Sequence, residues 1–271
     1  MPCVAALIIA GFVLGIWSCA PARPAGGPVR PSKFALSDGA LSQGRGVVEL
    51  VRSLAQRIDR FRSFRSLARI TYWSRDERSG LQGVILVRRP DRFRLETLSP
   101  LGAILILTAD GEEVVGFHPR EGIFYRGRSS KENLVRYTQI PLELRDLTYL
   151  LMGLPPVEIG GSWEGGGDRV ERRLPEGGSE VVTFDRTMGI PVRWDRSGPD
   201  EDLELTVVFS EFVSTPAGPF PLMISLESYA QERRLEIRYR EPEVNVALPA
   251  SLFVQQRPNH VREVPLESLG G

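Results

Sequence analysis

Hydrophobic positions along the chain change period once. Val47, Leu50, Val51, Leu54, Ile58 and Phe61 recur at helical spacing, with Arg52, Gln56, Arg57 and Asp59 between them. This predicts an amphipathic helix. Beyond it, short apolar runs alternate with turn signals. Ala68, Ile70 and Tyr72 predict a strand, and residues 81–88 another, ended by Arg89-Pro90-Asp91. Phe93 and Leu95 alternate with Arg94 and Glu96. Residues 103–109 are almost wholly apolar and close on Asp110-Gly111, a hairpin signal. Residues 114–117 and 123–126 continue the meander.

Leu144, Leu147, Leu151 and Leu154 then return to helical spacing, and Pro155-Pro156 forbids continuation. After a glycine-rich loop, strands are expected at 181–184, 190–194, 203–212, 222–226 and 235–239. In the last of these Glu236, Arg238 and Arg240 take the face opposite Leu235, Ile237 and Tyr239, a one-side-wet pattern. About 11–12 strands with short connections predict a single mainly-β domain, antiparallel and curled, with a few helices. Ile104-Leu105-Ile106-Leu107 is apolar on both faces. One face is open to cover by helices; the other awaits a neighbour, a ligand or ordinary core.

The first residues carry a different pattern. Residues 1–19 hold no charged side chain, and Val4 to Trp17 is apolar or small throughout. That run is short for a membrane span, which needs roughly 17–25 residues, and suits the apolar core of a secretory signal. Ile16-Trp17-Ser18-Cys19 resembles the lipobox of bacterial lipoprotein precursors. It implies a signal over 1–18, acylation at Cys19, and a lipid-anchored chain at the periplasmic face of the outer membrane. Residues 20–33 contain Pro21, Pro24, Pro28, Pro31 and Gly26-Gly27, and residues 19–41 read as a tether. The folded domain is expected over 42–258, followed by a tail at 259–271.

Composition narrows the chemistry. Lys plus Arg and Asp plus Glu are both 34, so the formal net charge is zero. That argues against nucleic acid as a partner, which calls for a cationic surplus. Two histidines and two cysteines disfavour a zinc cluster or a disulfide framework. Asp110, Glu112 and Glu113 cluster at a turn, where acidic residues are ordinarily just solvated. His118 has no partner suggested by spacing. No Gly-x-Ser-x-Gly elbow is present, and Gly165-Gly166-Gly167 lacks the Lys-Ser/Thr of a phosphate loop. No catalytic residue, metal or cofactor is expected.

Three segments resemble the periplasmic lipoprotein-carrier superfamily of LolA and the outer-membrane receptor LolB. They are Val87-Arg88-Arg89-Pro90-Asp91-Arg92-Phe93-Arg94-Leu95-Glu96, Leu98-Ser99-Pro100-Leu101-Gly102, and Ile140-Pro141-Leu142 with Leu150-Leu151-Met152-Gly153-Leu154-Pro155. A weaker echo lies at Val244-Asn245-Val246 with Leu252-Phe253. The second and third are similar to the receptor branch. That branch's aromatic-Trp-Gln segment has no counterpart before Arg88, and the region of residues 160–178 departs from it.

The resemblance implies an unclosed antiparallel β-barrel with helices over its mouth and an apolar hollow for acyl chains. The expected lining is Ile70, Phe93, Leu95, Leu105, Leu107, Leu205, Val207, Leu222, Ile224 and Ile237, with Leu147 and Leu151 in the lid. The turn Pro100-Leu101-Gly102 matches the receptor's membrane-inserting loop. Expected partners are acyl chains of lipoproteins or lipids, the membrane through the N-terminal anchor, and a periplasmic carrier protein. The competing reading is an envelope scaffold whose interior is filled by its own side chains.

Overall fold

The computed structural model describes residues 46–100 and 102–269. The expected signal, Cys19, the tether and Leu101 lie outside the described residues. Helix α1 (Val47–Arg60) precedes six strands: β1 (Ser63–Trp73), β2 (Arg78–Arg88), β3 (Arg92–Ser99), β4 (Gly102–Ala109), β5 (Glu113–His118) and β6 (Ile123–Arg128). Two short helices follow, α2 (Lys131–Thr138) and α3 (Leu144–Leu151). Then come β7 (Glu164–Gly166), β8 (Arg169–Arg173), β9 (Ser179–Phe184), β10 (Pro191–Ser197), β11 (Leu203–Thr215), β12 (Gly218–Ser228) and β13 (Arg233–Val244). A one-turn helix, Ala250–Phe253, strand β14 (Arg262–Pro265) and a second one-turn helix, Leu266–Ser268, complete the described chain.

All strands of the described residues belong to one 14-stranded sheet, ordered β14-β6-β5-β4-β3-β2-β1-β13-β12-β11-β10-β9-β8-β7. Its two halves join where β1 pairs β13 antiparallel, with Ile70 opposite Ile237. Among the described strands only β14 on β6 is parallel. The edge strands β14 and β7 are not paired with each other, so the barrel is unclosed.

The register puts alternate side chains on one inner face: Phe64, Ala68 and Ile70 of β1, Ile85 and Val87 of β2, Phe93 and Leu95 of β3, Leu105 and Leu107 of β4. That face continues through Val207, Ile224 and Ile237 to Trp194 and Val182. Helices pack on it. Leu50, Leu54 and Ile58 of α1, Leu134 of α2 and the leucines of α3 share one apolar cluster with the sheet. Gly153 closes α3 at φ 68, a conformation cheap only for glycine, and its N–H reaches the Leu150 carbonyl.

Three departures from expectation have physical causes. The strand count is fourteen because β7, β8 and β14 are three, five and four residues long and bury only Val170, too little for alternation to register. Helix α2 was not expected, since Leu134 is its only fully buried apolar side chain; its one local signal is Ser130, whose Oγ accepts from the Asn133 N–H at 3.3 Å. The segment expected as a tail instead closes the far edge: β14 pairs β6, and Leu266 is fully buried.

The doubly apolar β4 is covered on its outer face only in part. The chain after β13 returns over the outer face, where Leu248 and Phe253 pack on Leu86. The Gln255 side-chain amide donates to the Ile106 carbonyl and to Thr108 Oγ1, both at 3.0 Å. The protein's own C-terminal segment thus reaches β4 at Ile106 and Thr108, while Ile104, nearer the turn, stays exposed.

Candidate functional site

Six strands and one helix bring the expected cavity residues together. Phe93, Leu107, Leu147, Leu151, Leu205, Val207, Ile224 and Ile237 are buried within the single apolar cluster. Ile70, Leu95, Leu105 and Leu222 are partly buried against it. None of the twelve carries charge, so the floor under the helices offers hydrocarbon non-directional contact. In this structure the floor meets the protein's own side chains. The cavity of about 380 Å³ among the described residues lies elsewhere, lined by Asp91, Gly111, Ser129, Ser130, Lys131, Glu143, Leu144 and Arg145. A second pocket, at Glu164, Gly165, Gly166, Arg169 and Glu171, is likewise lined by none of the twelve. Neither pocket opens onto the expected lining, of which Ile70, Leu95, Leu105 and Leu222 keep part of their surface.

Helix α3 packs over the floor, held by four polar ties as well as by its leucines. Arg89, at the β2–β3 turn, donates from Nη1 to the Tyr149 hydroxyl at 2.9 Å, with its guanidinium 4.9 Å above that ring. The same side chain donates from Nε to the Phe61 carbonyl at 2.6 Å and from Nη2 to the Ile58 carbonyl, capping the C-terminus of α1. Thr148 Oγ1 donates to the Pro90 carbonyl at 2.5 Å. The buried Tyr239 hydroxyl of β13 donates to the Leu151 carbonyl at 2.9 Å.

The fourth tie is ionic. Glu180 of β9 has no exposed surface and accepts from Arg172 Nε and Arg196 Nη2, both at 2.9 Å. Arg196 Nη1 stands 3.5 Å from the Asp146 carboxylate on α3. Burial raises the Asp146 pKa above the ordinary aspartate value, against the opposing pull of Arg196. The charged network therefore sits at the end of the apolar floor and pins the first turn of α3 to the sheet.

Helix α2 covers the other end. Tyr137 stacks on His118 with ring centroids 6.3 Å apart, and its hydroxyl lies where a Cβ on Gly116 would fall. His118 is buried, its Nε2 has no partner, and burial lowers its pKa although Glu121 opposes this. Among the described residues no three His, Cys, Asp or Glu side chains group as metal ligands.

The β3–β4 hairpin is apolar at its exposed tip. Leu98 and Ile104 are 42% and 38% exposed, and Pro100 and Gly102 between them are exposed. The sequence marks the turn but not these two flanking side chains. Arg89 falls in a hairpin motif that gives it no role of its own. Nothing local could assign one, because its partners lie 28 and 60 positions away in the chain.

No protein-family model matches the chain, and no curated protein matches it. Solved structures do resemble it. A domain assigned to outer membrane lipoprotein sorting, from Vibrio parahaemolyticus, aligns with TM-score 0.54 at 11% identity over 77% of this chain and 97% of that one. A DUF1329 family protein from Desulfovibrio piger gives 0.56 at 11% over 76% and 95%. A LolA superfamily protein from Nitrosomonas europaea gives 0.53 at 14% over 76% and 97%. At these identities the likeness is one of fold: the unclosed barrel roofed by helices is the LolA-type architecture.

Proposed function

We propose that this protein binds acyl chains between the inner face of its sheet and helix α3, as an envelope lipoprotein that receives or inserts lipoproteins or lipids at the outer membrane. The reading takes Cys19 as the acylated anchor, residues 19–41 as the tether, acyl-bearing lipoproteins or lipids as cargo, and a periplasmic carrier as donor. It places the chain nearer the receptor branch than the soluble carriers. The observation that carries it is the convergence of twelve uncharged apolar side chains from six strands and α3 on one face, under a helix held by displaceable polar ties. The likeness in fold to a lipoprotein-sorting domain and a LolA superfamily protein supports it.

The energetics fit a transfer role. An acyl chain of roughly 15 methylenes costs on the order of 12 kcal/mol to expose to water, at ~0.8 kcal/mol per CH₂. Lifting α3 exposes leucines whose burial the incoming chain replaces, so the exchange is near balance and release into a bilayer is not blocked. The exposed apolar β3–β4 tip, with Leu101 at its turn, is the part suited to touch the bilayer.

The test is binding of a fluorescent triacylated peptide to the purified protein, then its transfer to phospholipid vesicles. Saturable binding with transfer supports the reading; no binding at saturating peptide ends it. The packed interior favours one alternative, an interaction scaffold of the envelope that carries no lipid, and the same absence of binding would select it.

A further inference from the structure

Helix α1 turns four side chains into the protein: Leu50, Leu54, Arg57 and Ile58. Three are what an amphipathic seam calls for. The fourth is a guanidinium, only 6% exposed. Its Nε and Nη2 are buried and have no hydrogen-bond partner. Its Cζ lies 4.6 Å from the centre of the Phe61 ring, which is itself fully buried and packs on Phe220 at 6.0 Å. Aromatic contact offsets part of the cost of removing a cation from water but leaves its donors unused.

The electrostatic surroundings have the same sign. Burial, and then Arg60, lower the Arg57 pKa to about 10, so the group remains a cation at neutral pH. Arg60, Arg62 and Arg89 gather at the same helix end, and none of these or Arg57 forms an ion pair with a described residue. The protein treats other buried charge differently: Glu180, equally hidden, is met by two guanidiniums. An unpaired buried charge is strongly unfavourable. Arg57 is a cation with open donors in an apolar wall and no counter-charge of its own.

We infer that Arg57 receives the oxyanion head of an amphiphile whose hydrocarbon tail lies along the neighbouring apolar floor. This rests on the acyl-binding reading above and adds a charge requirement to it. The tail matters because Phe61 lies against the guanidinium, Phe220 packs on Phe61, and Leu54 and Ile58 are buried on the same helix; a bare anion would lose its hydration there for a single partner. A phosphate or carboxylate head bonded to Nε and Nη2 matches the guanidinium fork.

The test titrates the full chain with dodecyl phosphate, dodecyl maltoside and inorganic phosphate below micellar concentrations, by calorimetry. Wild type is expected to bind dodecyl phosphate about ten- to a hundredfold tighter than the uncharged maltoside, the range of a charge-assisted hydrogen bond. Arg57→Met should abolish that preference and leave maltoside affinity unchanged. Arg57→Lys, which keeps the charge but not the fork, should lose an intermediate share, and it supplies the readout if the Met variant does not fold. Unchanged dodecyl phosphate affinity in either variant overturns the inference. Inorganic phosphate binding as tightly as dodecyl phosphate overturns it too, since the tail would then play no part. If neither amphiphile binds wild type, the acyl reading itself has failed; if both bind equally, only the role of Arg57 has.

Discussion

Arg89 and Tyr149 are joined twice, by a 2.9 Å hydrogen bond to the phenol oxygen and by a guanidinium stacked 4.9 Å over the ring. Because Arg89 also holds the carbonyls of Ile58 and Phe61, one side chain ties the β2–β3 turn to both α1 and α3. Replacing it with leucine leaves two carbonyls and a phenol without their donor. Arg89→Leu should lower unfolding stability by about 2–4 kcal/mol, whereas Tyr149→Phe should cost about 1 kcal/mol. Denaturant titration measures both. Hydrogen exchange in α3 should quicken in Arg89→Leu; an unchanged α3 would show that the tie does not hold the lid.

Asp146 gives a pH-dependent test with a definite sign. Its folded pKa is raised by burial. The folded state therefore holds the proton more tightly than the unfolded chain does, and this contribution is present at acid pH and lost as pH rises through the folded pKa. Asp146→Asn, neutral throughout, should be more stable than wild type at neutral pH. The advantage should shrink as pH falls toward the ordinary aspartate range. Unfolding midpoints at several pH values decide it; a variant less stable at neutral pH would mean that the attraction of Arg196 outweighs burial.

His118 works in the opposite sense. Burial holds its folded pKa below the ordinary value, so the neutral ring is favoured in the fold. That stability is present above the unfolded pKa and lost as pH falls through the folded one. His118→Phe should remove an acid-dependent loss of stability that wild type shows on going below about pH 6.5. The slope of unfolding free energy against pH in the two proteins is the measurement.

The exposed Leu98 and Ile104 predict membrane contact. Each leucine-sized side chain gains roughly 1.5–3 kcal/mol on full transfer to an apolar phase. Leu98→Glu with Ile104→Glu should weaken sedimentation with phospholipid vesicles by more than tenfold while leaving acylated-peptide binding intact. Leu101→Glu should act alike and, in cells, mislocalise other lipoproteins.

The eleven strands with clear alternation and the helices α1 and α3 were legible, because period reports directly which side chains face water. The C-terminal strand β14 and the helix α2 were not, since each owes its place to partners rather than to its own pattern. The twelve floor residues were nameable as apolar and inward. Whether the space they line stands open or closed was not, because both states show the same alternation.

Residue order by itself determined the antiparallel meander, its wet and dry faces and the uncharged floor. Tertiary structure alone decided that the C-terminal segment reaches β4 at Ile106 and Thr108, that Arg89 reaches α1 and α3 together, that Arg57 turns inward on α1, and that Glu180 finds two guanidiniums while Arg57 finds no carboxylate among the described residues. The reason is reach: periodicity records burial within one element, whereas a charge is satisfied or left unpaired by groups that only the folded chain brings near.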